Sequence, residues 1–226
     1  MGELRPGGEE NPISISLDDI ILKGNLGIPE GARGIVLFAH GSGSSRLSPR
    51  NRYVADVLRQ AGLATLLFDL LTKEEEIIDL RTTEFRFDIG LLSERLSGAT
   101  EWVLGNPSTK DLQIGYFGAS TGAAAALIAA TFHPDVVYAI VSRGGRPDLA
   151  ESVLSRVEAS ALLIVGGRDH VVIELNQRAL TQIRAEKSLT IVPGATHLFD
   201  EPGALEEVAR LAADWFTGHL KVSKAA

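Results

Sequence analysis

The stretch from Ile114 to Ala130, IGYFGASTGAAAALIAA, sets a serine between two glycines where an apolar run gives way to alanines. Residues 112–118, LQIGYFG, are a short continuous apolar run, the pattern of a strand covered on both faces. Alanine is the best helix former, so AAAALIAA beyond the glycines predicts a helix. Between the two, Gly118-Ala119-Ser120-Thr121-Gly122 matches G-x-S-x-G, which is weak by itself and gains meaning only from a strand before it and a helix after it. Such a bend lifts the serine hydroxyl above the sheet edge. The glycines let strand and helix approach closely, and the positive end of the helix lies beside any oxyanion that develops there.

Working outward, the same alternation recurs. Ile20 to Ala32 reads as an early strand and turn, and GIVLFAHGSGSS, residues 34–45, as a buried strand running into a glycine and serine loop. Further strands are expected at 64–71, 136–145, 161–169 and 188–197. Helical spacing of apolar residues marks 52–61, 87–104, 121–132, 173–185 and 204–220. This order predicts an α/β fold: a three-layer sandwich around a mostly parallel, doubly wound sheet. Met1 to Pro12 reads as a loose start. Residues 70–86, with the acidic run Glu74 to Glu76, read as a surface excursion, a loop or short helix in preference to a lid.

Hydrophobic residues make up 45% of the 226-residue chain and charged residues 23%, the balance of an ordinary globular protein, so residues 1–226 are expected to form one domain. A net charge of -7 supplies no basic face and argues against nucleic acid as a partner. The absence of cysteine removes disulfides, thiolate catalysis and cysteine metal sites, and suits the cytoplasm. No apolar stretch is long enough to span a bilayer, so no membrane association is expected.

A serine hydroxyl is a poor nucleophile at neutral pH, so a catalytic Ser120 requires a histidine base and a carboxylate that orients it. Of His40, His133, His170, His197 and His219, only His197 follows the last expected strand, in the loop PGATHLFDEPG. His133 and His219 fall at helix ends, and His40 reads as structural. Asp169 stands just past the preceding strand, in a glycine loop. Asp148, Asp200 and His170 compete with it, but Ser120, Asp169 and His197 fall at separate strand ends in the order serine, acid, histidine. The backbone N–H groups of Ser42 and Thr121 are the expected oxyanion donors, with Gly41 and Gly43 turning the first of these loops inward. No metal or organic cofactor is required.

AHGSGSS at 39–45, FGASTGA at 117–123, VGGRDHVV at 165–172 and GATHLF at 194–199 together resemble the α/β-hydrolase superfamily, and more narrowly its small dienelactone-hydrolase-like branch. The resemblance covers nearly the whole chain. It implies about eight strands with one antiparallel strand near the start, and hydrolysis of a small-molecule acyl substrate through an acyl-enzyme. Two features depart from the pattern. Dienelactone hydrolases proper use a cysteine, so their substrate is not carried over to Ser120. Leu47 stands where similar sequences often have histidine, which suggests a pocket altered from a natural parent.

Leu47 and Arg143 are the candidate substrate-binding residues. Arg46, Arg50 and Arg52 cluster after the first glycine loop, and Arg143 and Arg146 lie in SRGGRPD after another strand; all are candidates for anion recognition or for pairing with acids. The reading is therefore a serine hydrolase of carboxylesterase type. A non-catalytic protein that binds a ligand through the same pocket is the alternative, since fold does not guarantee activity. Nucleotide binding at HGSGSSR is weaker, because Arg46 stands where G-x-G-x-x-G needs its third small residue.

Overall fold

The computed structural model describes residues 10–220. Eight strands form one sheet: β1 (Asn11–Leu17), β2 (Ile20–Gly27), β3 (Gly34–Ala39), β4 (Ala64–Phe68), β5 (Gln113–Ala119), β6 (Val137–Arg143), β7 (Ser160–Gly166) and β8 (Lys187–Val192). Their order is β1-β2-β4-β3-β5-β6-β7-β8. β2 is antiparallel to both β1 and β4, and every other pairing is parallel, so a single strand runs against the rest as the family resemblance implies.

The seven α-helices are α1 (Pro49–Gln60), α2 (Lys73–Thr82), α3 (Glu84–Phe87), α4 (Ile89–Gly105), α5 (Thr121–Ala130), α6 (His170–Gln182) and α7 (Ala204–His219) among the described residues. Helices α1 and α7 pack on one face of the sheet, where Val36, Phe38, Phe117 and Val141 meet Val54, Leu58, Val208 and Phe216. Helices α4, α5 and α6 cover the other, where Ile35, Leu37, Tyr116 and Ile140 meet Leu96, Leu127 and Ala179. All six residues of β3 are buried, which explains its unbroken apolar run: each alternate side chain faces a helix layer, and none faces water.

Three parts of the chain differ from the expectations. Residues 11 and 12 were read as part of the loose start, yet they open an edge strand whose Ile15 is buried; residues 1–9 lie outside the described residues. Residues 70–86 hold two helices where a loop or one short helix is expected. Helix α2 starts in a capping box, in which the Thr72 hydroxyl accepts from Glu75 N–H and the Glu75 carboxylate accepts from Thr72 N–H. The buried Asp79 carboxylate then accepts from the backbone N–H and Nε of Arg86, at 2.9 and 2.6 Å, and fixes α3 against α2. Pro147–Arg156 is a 3-10 helix, unread because neither period of 2 nor of 3.6 describes it.

The chain passes from β3 to β4 on one side and from there to β5 on the other, so the order reverses between β3 and β5. Ligands of open α/β sheets bind outside the carboxyl ends of the strands at such a point. There, the buried His40 holds the end of β3 to the end of β4. Its Nε2 accepts from Leu70 N–H at 3.0 Å, so its Nδ1 carries the proton and donates to the Gly41 carbonyl at 3.1 Å. Burial lowers its pKa, offset in part by the Gly41 carbonyl and by Asp69 and Glu76. The folded protein thus keeps His40 neutral where the unfolded chain takes up a proton, and stability falls as pH drops below the ordinary value of 6.5. One such group steepens the fall by up to about 1.4 kcal/mol per pH unit. Urea midpoints at pH 5 and 7 should therefore differ more in the parent than in His40→Asn, and an equal difference would remove His40 as the cause.

Candidate active site

Ser120 has φ 51° and ψ -119°, a conformation that a residue with a Cβ rarely adopts and that costs on the order of 1–3 kcal/mol. The surrounding backbone holds it there. Ser120 N–H donates to the Arg143 carbonyl at 3.2 Å, and the Ser120 carbonyl accepts from Arg146 N–H at 3.2 Å and Ala123 N–H at 3.1 Å. The bend has no room for larger neighbours. A Cβ on Gly118 would lie 2.4 Å from Ala123 Cα, and one on Gly122 would lie 2.2 Å from the Ala39 carbonyl oxygen. Although Ser120 occupies the N-cap of α5, its hydroxyl makes no capping bond.

Asp169 repeats that feature. It stands at the N-cap of α6, yet its side chain does not cap the helix. Its Oδ2 lies 2.6 Å from His197 Nδ1, an arrangement that fixes the ring and leaves Nε2 for another partner. The two loops meet closely, since a Cβ on Gly166 would lie 2.5 Å from the carbonyls of both Ala195 and Thr196. The histidine loop is held by Phe199, buried and at φ 58°, and by the Glu201 carboxylate, which accepts from Thr196 N–H at 3.0 Å.

Gly144, at φ 52°, connects the two halves of the site. A Cβ there would stand 3.4 Å from both Nδ1 and Cε1 of His197, while the preceding residue, Arg143, receives Ser120 N–H. The histidine and the serine therefore rest on adjacent residues of one segment, His197 against Gly144 and Ser120 on Arg143. Asn176 supports this segment from α6: its buried amide donates to the Gly145 carbonyl at 3.0 Å. Sequence reading missed Asn176, because a polar residue inside a helix carries no local sign of which loop it will meet.

The competing residues have other partners. Asp200 pairs with Arg50 at 3.0 Å, and Asp148 takes a forked bond from Arg146 at 2.8 and 2.7 Å. His133 Nε2 lies 2.7 Å from Ser97 Oγ, His219 Nδ1 lies 2.7 Å from the Trp215 carbonyl, and His170 is exposed at the start of α6.

Ser42 and Thr121 are brought together, in a form sequence reading did not foresee. Ser42 N–H donates to Thr121 Oγ1 at 3.1 Å, and the two hydroxyls are 3.0 Å apart. An oxyanion accepting from Ser42 N–H would take the place of the threonine hydroxyl. Ser42 Oγ also donates to the Arg86 carbonyl at 3.2 Å, which ties the loop after β3 to α3. Beside it, a small cavity of about 70 Å³ lies under α2, lined by Ser42, Ser45, Leu70 and Leu80. Leu47 is 53% exposed, just before α1, and does not line this cavity.

Residues 22–221 match the model of the dienelactone hydrolase family. The chain belongs to that family. A crystal structure of dienelactone hydrolase from Anabaena variabilis is 63% identical, with a TM-score of 0.94 over 95% of this chain and 99% of that one. The family and this neighbour give the chain the α/β-hydrolase fold. Est1E from Butyrivibrio proteoclasticus, 15% identical with a TM-score of 0.76 over 92% of this chain and 98% of its own, shares the fold. A Mycobacterium tuberculosis protein named "Putative phosphoribosyl transferase" is 58% identical over 215 residues, which are 95% of this chain and 48% of that protein. The chain thus spans about half the length of the curated relatives it matches. Among its described residues, no helix is long and apolar enough to cross a membrane.

Proposed function

We propose that this protein is a hydrolase, and specifically a serine esterase that cleaves small esters or related acyl compounds. His197 Nε2 takes the Ser120 proton as Oγ attacks the acyl carbon, and Asp169 holds the resulting imidazolium. Collapse of the tetrahedral intermediate returns that proton to the leaving oxygen and leaves an acyl-Ser120 ester. Water then attacks the ester with His197 as base, and the acid is released. The N–H groups of Thr121, at the first position of α5, and Ser42 stabilise the oxyanion in both halves.

The observation that carries this reading is the strained Ser120, its hydroxyl making no capping bond, held by Arg143 next to the Gly144 against which the Asp169-bonded His197 lies. The transferase name of the mycobacterial relative belongs to a chain about twice as long, and its activity is not carried to this one. A fluorophosphonate probe followed by peptide mass analysis tests the assignment. The expected result is one adduct, on the peptide containing Ser120, with p-nitrophenyl acetate hydrolysis lost in proportion. An adduct elsewhere, or full activity after labelling, would overturn it.

A further inference from the structure

A chain of hydroxyls joins the loop after β3 to the nucleophile bend. Gly41 sets that loop directly against Ser120, for a Cβ on it would lie 3.1 Å from Ser120 Cβ. The next residue, Ser42, donates its N–H to Thr121 Oγ1 at 3.1 Å, and Thr121 carries the other expected oxyanion donor on its own backbone. The threonine hydroxyl is therefore a neighbour of any oxyanion that the two N–H groups share.

The direction of the chain follows from its protons. A hydroxyl has one proton and two acceptor lone pairs. Because Thr121 Oγ1 accepts from Ser42 N–H, its own proton points to another acceptor, and Ser42 Oγ stands 3.0 Å away. Ser42 Oγ in turn donates to the Arg86 carbonyl at 3.2 Å, and the buried Asp79 carboxylate fixes Arg86. Thr121 is 3% exposed, so bulk water does not compete for its hydroxyl. Valine has the same branched shape and would fill this position with no polar group to satisfy. Threonine instead places a proton beside the oxyanion donors, and rotation about its C–O bond redirects that proton readily.

We propose that the Thr121 hydroxyl is a third oxyanion donor. The proposal rests on the serine-esterase reading. In the free protein the hydroxyl satisfies Ser42 N–H and rests its proton on Ser42 Oγ. When Ser120 attacks, Ser42 N–H turns to the oxyanion, which replaces Thr121 Oγ1 as its acceptor. The threonine hydroxyl, released from that bond, leaves Ser42 Oγ and donates to the oxyanion; its proton stays on Thr121 throughout. A hydrogen bond to a charged oxygen is roughly twice as strong as one between neutral groups, so the exchange favours the tetrahedral intermediate over the ground-state carbonyl. Ser42 Oγ keeps its bond to the Arg86 carbonyl, and the loop stays in place as the threonine turns.

The test compares Thr121→Val, which removes the hydroxyl and keeps the shape and the backbone N–H, with Thr121→Ser, which keeps the hydroxyl. On p-nitrophenyl acetate, Thr121→Val should lose about 10- to 100-fold in kcat with KM within about twofold, because a donor that acts only on the oxyanion leaves substrate binding alone. Thr121→Ser should recover most of that loss. Inhibition by trifluoroacetophenone, a ketone that forms a tetrahedral oxyanion on a serine, should weaken in Thr121→Val by a factor similar to the fall in kcat. An unchanged or raised kcat in Thr121→Val would mean that the hydroxyl only blocks the site, and would overturn the proposal. A loss confined to KM, or one that trifluoroacetophenone does not share, would overturn it as well. If Thr121→Val does not fold, Thr121→Ala carries the same comparisons with the same outcomes. A parent that forms no fluorophosphonate adduct at Ser120 and leaves p-nitrophenyl acetate intact refutes the serine-esterase reading, and the third donor falls with it.

Discussion

Ser120→Ala is expected to lower ester hydrolysis by roughly 10⁴-fold or more, and to abolish fluorophosphonate labelling, while unfolding at nearly the same temperature as the parent. The size of the loss follows from the role. Without Oγ there is no acyl-enzyme, and the remaining acceleration comes from binding and the oxyanion donors alone. The near-constant stability follows from the geometry, because the hydroxyl does not cap α5 and alanine meets the same steric objection at φ 51° as serine does. Ser120→Gly separates strain from chemistry. Glycine accepts positive φ freely, so this variant should be equally inactive yet more stable than Ser120→Ala, by about 1 kcal/mol. Turnover in either variant within tenfold of the parent would mean that the acyl group is carried elsewhere.

The sequence-to-structure comparison shows which features are local. The bend at Ser120 was legible because strand, glycines and helix are contiguous, and because buried parallel strands announce themselves as apolar runs. The pairing of His197 with Asp169 was legible from chain order, since each follows its own strand at the same edge of the sheet. What stayed hidden depends on packing between distant segments. Nothing near Asn176 points to the Gly145 carbonyl, and nothing near Thr121 shows that its hydroxyl takes Ser42 N–H. Residues 70–86 could be read only as a loop or short helix for another reason: Ile77, Ile78 and Leu80 are exposed together, so α2 does not divide into the apolar and polar faces by which a helix is read. The arginines make the same point. Five similar residues in two segments could not be told apart in sequence; the structure pairs Arg46 with Asp69, Arg50 with Asp200, Arg52 with Glu10 and Arg146 with Asp148, and buries Arg143 at the end of β6.

Gly122→Ala should destabilise the protein by at least about 3 kcal/mol, near the upper end of what one added methyl does in a packed interior. The reason is the identity of what the new Cβ meets. It would lie 2.2 Å from the Ala39 carbonyl oxygen and 2.5 Å from that of His40, and both belong to backbone at the end of β3. A flexible side chain could turn away, but a strand bonded to β4 and β5 on either side cannot. Helix α5 must therefore move outward and carry Thr121 and Ser120 with it. A shift of about 1 Å at a nucleophile can cost on the order of 10²-fold in rate, so any folded fraction should also label slowly. Gly105→Ala serves as the control. At the end of α4 its Cβ would meet nothing within 4 Å, and alanine's better helix propensity should leave it neutral or up to about 1 kcal/mol more stable. Urea denaturation of both variants gives the comparison. Equal midpoints would show that α5 and β3 approach less closely than the bend at Ser120 requires, and the reading of Gly122 as a spacer for the nucleophile would fail.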